Sequence, residues 1–179
     1  MPSLRIEQHE SHRYPPRTWV NAQSADLTVA IAVDFTTKGE LLTKRAAGAA
    51  FVALPLEGDP LDAARLLWKA VRQRDARTLN IAGNGICTMA KHGWSQERIN
   101  TWVYQVIAKV HQHHPISFIR SGGQTGADIA GLVAAYALGI ECLGLYPKRF
   151  LQRTIDNLDV RRSAEEIEAE IKSWAAGLL

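Results

Sequence analysis

The sequence predicts an α/β protein, a Rossmann-like three-layer sandwich with a mainly parallel sheet of about five strands. Three observations carry this prediction. Near-continuous apolar runs of strand length recur along the chain, as expected for strands covered on both faces. Segments with apolar residues every three or four positions separate those runs. The loops that follow the apolar runs are rich in glycine, hydroxyl, amide and charged residues, which is where open α/β sheets bind ligands.

The elements follow in order. Residues 1–25 lack periodicity and contain Pro15-Pro16, so they are expected to form an extended arm, with Trp19 anchoring it to the body. A single domain is expected over 26–179. "LTVAIAVDF" (27–35) reads as the first strand and "GELLTKRAAG" (39–48) as a short helix that Gly48 ends. "AAFVALPL" (49–56) is the second strand. Asp59-Pro60 supplies a cap and a first-turn proline, and Leu61, Ala64, Leu67, Trp68 and Val71 form the buried stripe of the helix that follows. "TLNIAG" (78–83) is the third strand. Ser95 caps a long helix whose Ile99, Trp102, Val103, Val106, Ile107 and Val110 repeat at helical spacing until Pro115. "ISFIRS" (116–121) is the fourth strand, 125–138 a helix rich in Ala and Gly, and "IECLGLY" (140–146) the fifth strand. Ser163 and Glu166 form a capping box for a last helix carrying Ile167, Ile171 and Trp174.

Composition narrows the function classes. A hydrophobic content of 46% with 22% charged residues suits a globular core, and 179 residues suit one domain. The formal charge of +3 is too mild for a protein that coats nucleic acid, so nucleic acid is not expected as a partner. Cys87 and Cys142 stand far apart without metal spacing, which argues for a reducing compartment and against a metal site. The polar N-terminus reads as no signal peptide, and no apolar run suits a membrane span. The expected setting is the cytoplasm.

Four loops after predicted strands collect the chemistry: "DFTTKGE" (34–40), "GNGICT" (83–88), "SGGQTGAD" (121–128) and "YPKRF" (146–150). The third makes the strongest case. Glycines let backbone N–H groups approach an anion, and the following helix directs its unpaired amides and positive dipole end at the same point. Ser121, Gly122, Gly123, Gln124, Thr125 and Gly126 are therefore candidate phosphate-binding residues, with Thr36, Thr37, Lys38, Gly83, Asn84, Gly85 and Lys148 as further ligand contacts. Asn84 between two glycines equally suits a left-handed turn. Cys87 lacks a sequence partner that would activate it and reads as structural. His111, His113 and His114 are explained by a helix C-terminus, and Trp94 is a candidate stacking platform.

The run "IRSGGQTGADIAGLVAAYALGI" with Pro147-Lys148 resembles the glycine-rich signature of the SLOG superfamily, in particular its molybdenum-carrier, YpsA-like branch. The matching positions are Gly122, Gly123, Gln124, Thr125, Gly126, Asp128, Leu138, Gly139, Ile140, Pro147 and Lys148. The resemblance covers about residues 116–150. It implies a Rossmann-like fold that binds nucleotides or nucleotide-derived ligands without a separate cofactor, commonly as a homo-oligomer. The related LOG phosphoribohydrolases cleave the N-glycosidic bond of nucleoside monophosphates with a Pro-Gly-Gly-x-Gly-Thr-x-x-Glu motif. Here Ser121 replaces the proline, Thr125-Gly126 reverses the Gly-Thr order, and Ile129 stands where the glutamate would be. The resemblance thus implies the phosphate site but not that glutamate.

An N-glycoside hydrolase would instead need another carboxylate to stabilise an oxocarbenium-like sugar and activate water. Asp34 and Asp128 lie at predicted strand ends and are the candidates. Burial at the end of an apolar strand would raise the Asp34 pKa; alternatively its side chain caps the following turn. Glu40 reads as an ordinary first-turn acid.

Overall fold

The computed structural model describes residues 3–179. Its elements run β1 (Leu4–Gln8), α1 (Tyr14–Gln23), β2 (Leu27–Ala32), α2 (Lys38–Ala47), β3 (Phe51–Pro55), α3 (Pro60–Arg74), β4 (Thr78–Gly83), α4 (Ile86–Ala90) and α5 (Gln96–His113). Then follow β5 (Phe118–Ser121), α6 (Ala127–Ala137), β6 (Glu141–Tyr146), β7 (Leu151–Arg153), β8 (Asp159–Arg161) and α7 (Ala164–Ala176). Strands β1 to β6 make one sheet in the order β1-β6-β5-β4-β2-β3, and every neighbouring pair is parallel. A separate antiparallel ribbon pairs β7 with β8. The α/β sandwich predicted from the sequence is what forms, with one sheet strand more than expected.

Local chemistry explains where the helices begin. Thr37, Asp59 and Ser95 each accept a backbone N–H of the first turn of α2, α3 and α5, and Ser163 with Glu166 closes both halves of a capping box on α7. The strands are held by burial: Leu27, Ile31, Leu79, Ile81 and Ile119 are nearly inaccessible. Each such side chain contributes roughly 1.5–3 kcal/mol relative to exposure. In α3 the stripe is carried by Ala63, Ala64, Leu67 and Val71, while Leu61, expected in it, is 45% exposed. Trp102 is buried, and Trp68 and Trp174 pack against the core at its margin. No described helix is long and apolar enough to cross a membrane.

The N-terminal segment corrects an expectation. Instead of an extended arm, residues 4–8 pair with β6 as an edge strand and residues 14–23 form α1. Pro15 and Pro16 lie in the first turn of that helix, where their missing N–H groups have no intrahelical partner to lose. Trp19 does not anchor it. That ring is 36% exposed, and α1 docks through Arg17, Asn21 and Ala22. α1 packs on α2, and both cover one face of the sheet. α3, α5, α6 and α7 pack on one another over the other face, α6 against β4, β5 and β6.

The connections decide where a ligand can enter. β2 continues outward to β3, whereas β4 continues in the opposite direction to β5. The loops leaving β2 and β4 therefore part company, which opens a crevice at the carboxyl ends of those strands.

Candidate functional site

A cleft of about 360 Å³ occupies that crevice. Its origin is visible in the strand register. Thr28 of β2, Asn80 of β4 and Arg120 of β5 lie level across the sheet. One pleat further on, the same face carries Ala30 and Ala82 and then Gly122. A row of small side chains behind a polar row leaves room between the sheet and the α1–α2 layer. Helix α1 contributes Tyr14, Arg17, Thr18 and Asn21 to the cleft wall, and α2 contributes Gly39, Leu42 and Thr43. Gly83, Gly85, Cys87 and Thr88 line its rim, with Arg153 and Asn157 from the ribbon.

Of the residues singled out in the sequence, Gly83, Gly85, Gly122, Gln124, Thr125 and Asp128 line this cleft. The glycine-rich loop nevertheless does not form the expected cradle of free amides. The Gly123 N–H donates to Ser121 Oγ (3.0 Å), the Gln124 N–H to Asp128 Oδ2 (3.3 Å) and the Gly126 N–H to Gln96 Oε1 (2.7 Å). The Ala127 N–H donates to the Asn84 carbonyl (3.1 Å). The side chains are engaged too. Gln124 Nε2 donates to Leu151 O and its Oε1 accepts the Arg153 N–H, both at 2.9 Å, and the Thr125 hydroxyl donates to the Arg153 carbonyl. The loop is a clasp that holds β7 to the sheet.

Its glycines answer to close approach. A methyl on Gly123, whose φ is +71°, would overlap the Tyr146 ring, and one on Gly126, at φ +94°, would overlap the Asn84–Ile86 backbone. Gly123→Ala is expected to lower stability by about 2–3 kcal/mol, combining left-handed strain with overpacking. Chemical denaturation measures this, and a loss below the experimental error would remove the account.

The remaining candidates fall outside the cleft. Asp34 Oδ1 accepts the Thr36 hydroxyl (2.6 Å) and N–H (2.8 Å), and these bonds hold its carboxyl below the usual carboxylate range. The expected upward shift is overturned; Asp34 caps the turn. Thr36 serves that turn, Thr37 caps α2, and Lys38 and Lys148 are exposed. Asn84 is a clamp between β2 and β4. Its Oδ1 accepts the Val33 and Asp34 N–H groups and its Nδ2 donates to the Asp34 carbonyl, all at 2.9 Å. The Arg98 guanidinium lies 4.5 Å over the Trp94 ring and takes the stacking face proposed for a base. His111 Nδ1 accepts the Ile116 N–H and closes the α5–β5 turn, and His114 Nε2 bonds the Ala76 carbonyl, tying that turn to the α3–β4 connection. Among the described residues no group of His, Cys, Asp and Glu is placed to hold a metal.

Charge at the cleft comes from Asp128, a candidate from the sequence, and from two residues that no motif marks, Arg17 and Glu40. Arg17 is 5% exposed; its Nη1 donates to the Gly122 carbonyl and lies 3.7 Å from Asp128 Oδ2, an ion pair rather than a hydrogen bond. Burial lifts the Asp128 carboxyl to about 6, with Arg17 opposing the shift. Glu40 is 3% exposed, and burial, reinforced by the like charges of Asp128 and Asp34, lifts it to about 8. Its Oε1 lies 3.5 Å from Asn84 Nδ2, and its Oε2 has no hydrogen-bond partner among the described residues. At neutral pH the cleft wall thus holds a guanidinium and a carboxylate close to its titration point, with the protonated carboxyl of Glu40 beside the lining rather than in it. Such a set can bind a polar ligand and move a proton. Compared with family models, with curated proteins and with solved structures, the chain matches none.

Proposed function

We propose that this protein binds a nucleotide or nucleotide-derived small molecule in the cleft between α1, α2 and the carboxyl ends of β4 and β5. The observation that carries the reading is a 360 Å³ cleft at the divergence of β2 and β4 with Arg17 and Asp128 in its wall. Its size lies in the range of small-molecule sites, and its position follows the rule for open α/β sheets. The amides around Gly123 are spent internally, so an anionic group is directed to other lining donors, the Thr88 hydroxyl and Arg153, whose guanidinium also pairs with Asp159. The reading keeps the cytoplasmic setting expected from the cysteine usage and the polar N-terminus, and the homo-oligomer that the resemblance implies.

Thermal denaturation against a panel of nucleoside monophosphates tests it. A ligand present at about 100 times its dissociation constant adds roughly 2.7 kcal/mol to stability if it binds only the folded chain. Asp128→Asn is expected to weaken that ligand at least tenfold. A flat response across the panel would overturn the proposal.

One observation favours a second reading, hydrolysis of a nucleotide N-glycosidic bond. Asp128 sits in the cleft with its carboxyl lifted to about 6, where it could both stabilise a developing oxocarbenium ion and accept a proton from water. Release of free base, abolished by Asp128→Asn, selects hydrolysis; recovery of the ligand intact selects binding.

A further inference from the structure

On the face of the sheet away from the cleft, helices α3 and α5 leave a groove of about 490 Å³ between them. It is lined by Leu61, Ala64, Arg65 and Trp68 of α3 and by Lys109 and His113 of α5. Leu61, Arg65 and Trp68 follow one another at four and three residues and so stand in one row along α3; Lys109 and His113 stand one turn apart on α5. Leu61 is 45% exposed, and Trp68 is half-buried at the margin of the core. The lining is thus apolar along α3, and each of its three ionisable side chains is basic. The Arg72 guanidinium, 4.9 Å over the Trp68 ring, extends that charge by a further turn. Arg65 meets Asp62 at 2.8 Å, but both side chains are about two-thirds in solvent, where such pairs are weak and readily exchanged. Lys109 Nζ reaches the neutral Gln112 Oε1 at 3.5 Å. An apolar strip bordered by cations is complementary to apolar residues bordered by carboxylates.

We propose that the α3–α5 groove docks an acidic amphipathic helix of a partner protein, with its apolar residues on Leu61, Ala64 and Trp68 and its carboxylates facing Arg65 and Lys109. The shape suits a helix. Leu61 and Trp68 lie seven residues apart, roughly 10 Å along α3, which matches the spacing of anchors at i and i+7 on a helix laid in the groove. A bilayer surface would call for protruding apolar side chains, and these line a recess. A polynucleotide would set its phosphates over leucine and tryptophan. A second copy related by a two-fold axis would bring the same basic residues against one another. Docking at this face needs no ligand in the cleft, so it stands independently of the nucleotide-binding reading.

Fluorescence anisotropy of labelled synthetic helices of about 14 residues, four turns long, tests it. The first carries leucine and phenylalanine at i, i+3, i+4 and i+7 with glutamate elsewhere; the second has lysine for every glutamate, and the third has alanine for every apolar residue. The full-length protein is expected to bind the first at least tenfold more tightly than either of the others. Lys109→Glu and Leu61→Ser, both at exposed positions that the fold tolerates, are each expected to weaken the first helix at least fivefold. Equal binding of the acidic and lysine helices overturns the proposal, as does an affinity that neither substitution changes. Absence of binding by all three overturns it too. Phosphatidylserine vesicles and a DNA duplex are titrated alongside. Capture of either more tightly than the acidic helix, lost in Lys109→Glu, would assign the face to a membrane or to nucleic acid and overturn the helix-docking proposal.

Discussion

Arg17→Leu is expected to destabilise the fold by about 3–5 kcal/mol at pH 8, the range for removing one partner of a buried ion pair. The pair is deeply placed, with Arg17 5% and Asp128 8% exposed. Leucine fills part of the space but leaves the Asp128 carboxylate and the Gly122 carbonyl without the guanidinium they face. Burial already lifts Asp128 to about 6 against the pull of Arg17, and losing that pull lifts it further. Below that point the native carboxyl keeps its proton while the unfolded chain, titrating near 4, releases its own. The variant therefore loses stability as pH rises through this window, and its deficit is smallest in acid. Urea unfolding at pH 5 and pH 8 measures both quantities, and Arg17→Leu with Asp128→Asn should recover most of the loss at pH 8. A deficit equal at the two pH values would mean that Arg17 acts through packing alone.

That this residue decides the site is hard to read from the chain. β2, β4 and β6 announce themselves because each is a largely apolar run of strand length, buried over at least half of its residues. β1 does not: an edge strand of five residues, three of them exposed, leaves only Leu4 and Ile6 as a pattern. α1 is hidden for a physical reason. Its inward face is Arg17 and Asn21, polar residues whose partners, Asp128 and Arg120, lie a hundred positions away, so no apolar stripe marks it. The Pro15-Pro16 pair reads as a helix breaker until its place in the first turn is known. The cleft's position was legible from the glycine-bearing loops after β4 and β5, yet the role of those glycines was not. Free amides and amides already bonded to Ser121, Asp128 and Gln96 come from the same letters. Glu40 misleads similarly. It stands three residues after Thr37, the spacing of a capping box, and its N–H does bond Thr37 Oγ1 at 3.3 Å. Its carboxyl then turns inward toward Asn84 instead of closing the box.

Glu40→Gln is expected to stabilise the protein above pH 8 by an amount on the order of 3–5 kcal/mol and to leave it unchanged below about pH 4. The native Glu40 carboxyl holds its proton to about 8, against 4.5 for an unperturbed glutamate. Between those values the unfolded chain has released a proton that the native protein retains, so wild-type stability falls as pH rises and levels off above 8. Glutamine copies the protonated form and removes this term. The slope that survives between about 4 and 6 belongs to Asp128. The two carboxyls are coupled, since the charge on Asp128 is part of what lifts Glu40. In an Asp128→Asn background the gain from Glu40→Gln should therefore shrink, and the difference between the two backgrounds measures the interaction directly. Unfolding free energies of the four proteins at pH 5, 7 and 9 test the account. Parallel pH profiles for wild type and Glu40→Gln would show that Glu40 is ionised in the native state, and the protonated carboxyl beside the cleft would have to be abandoned.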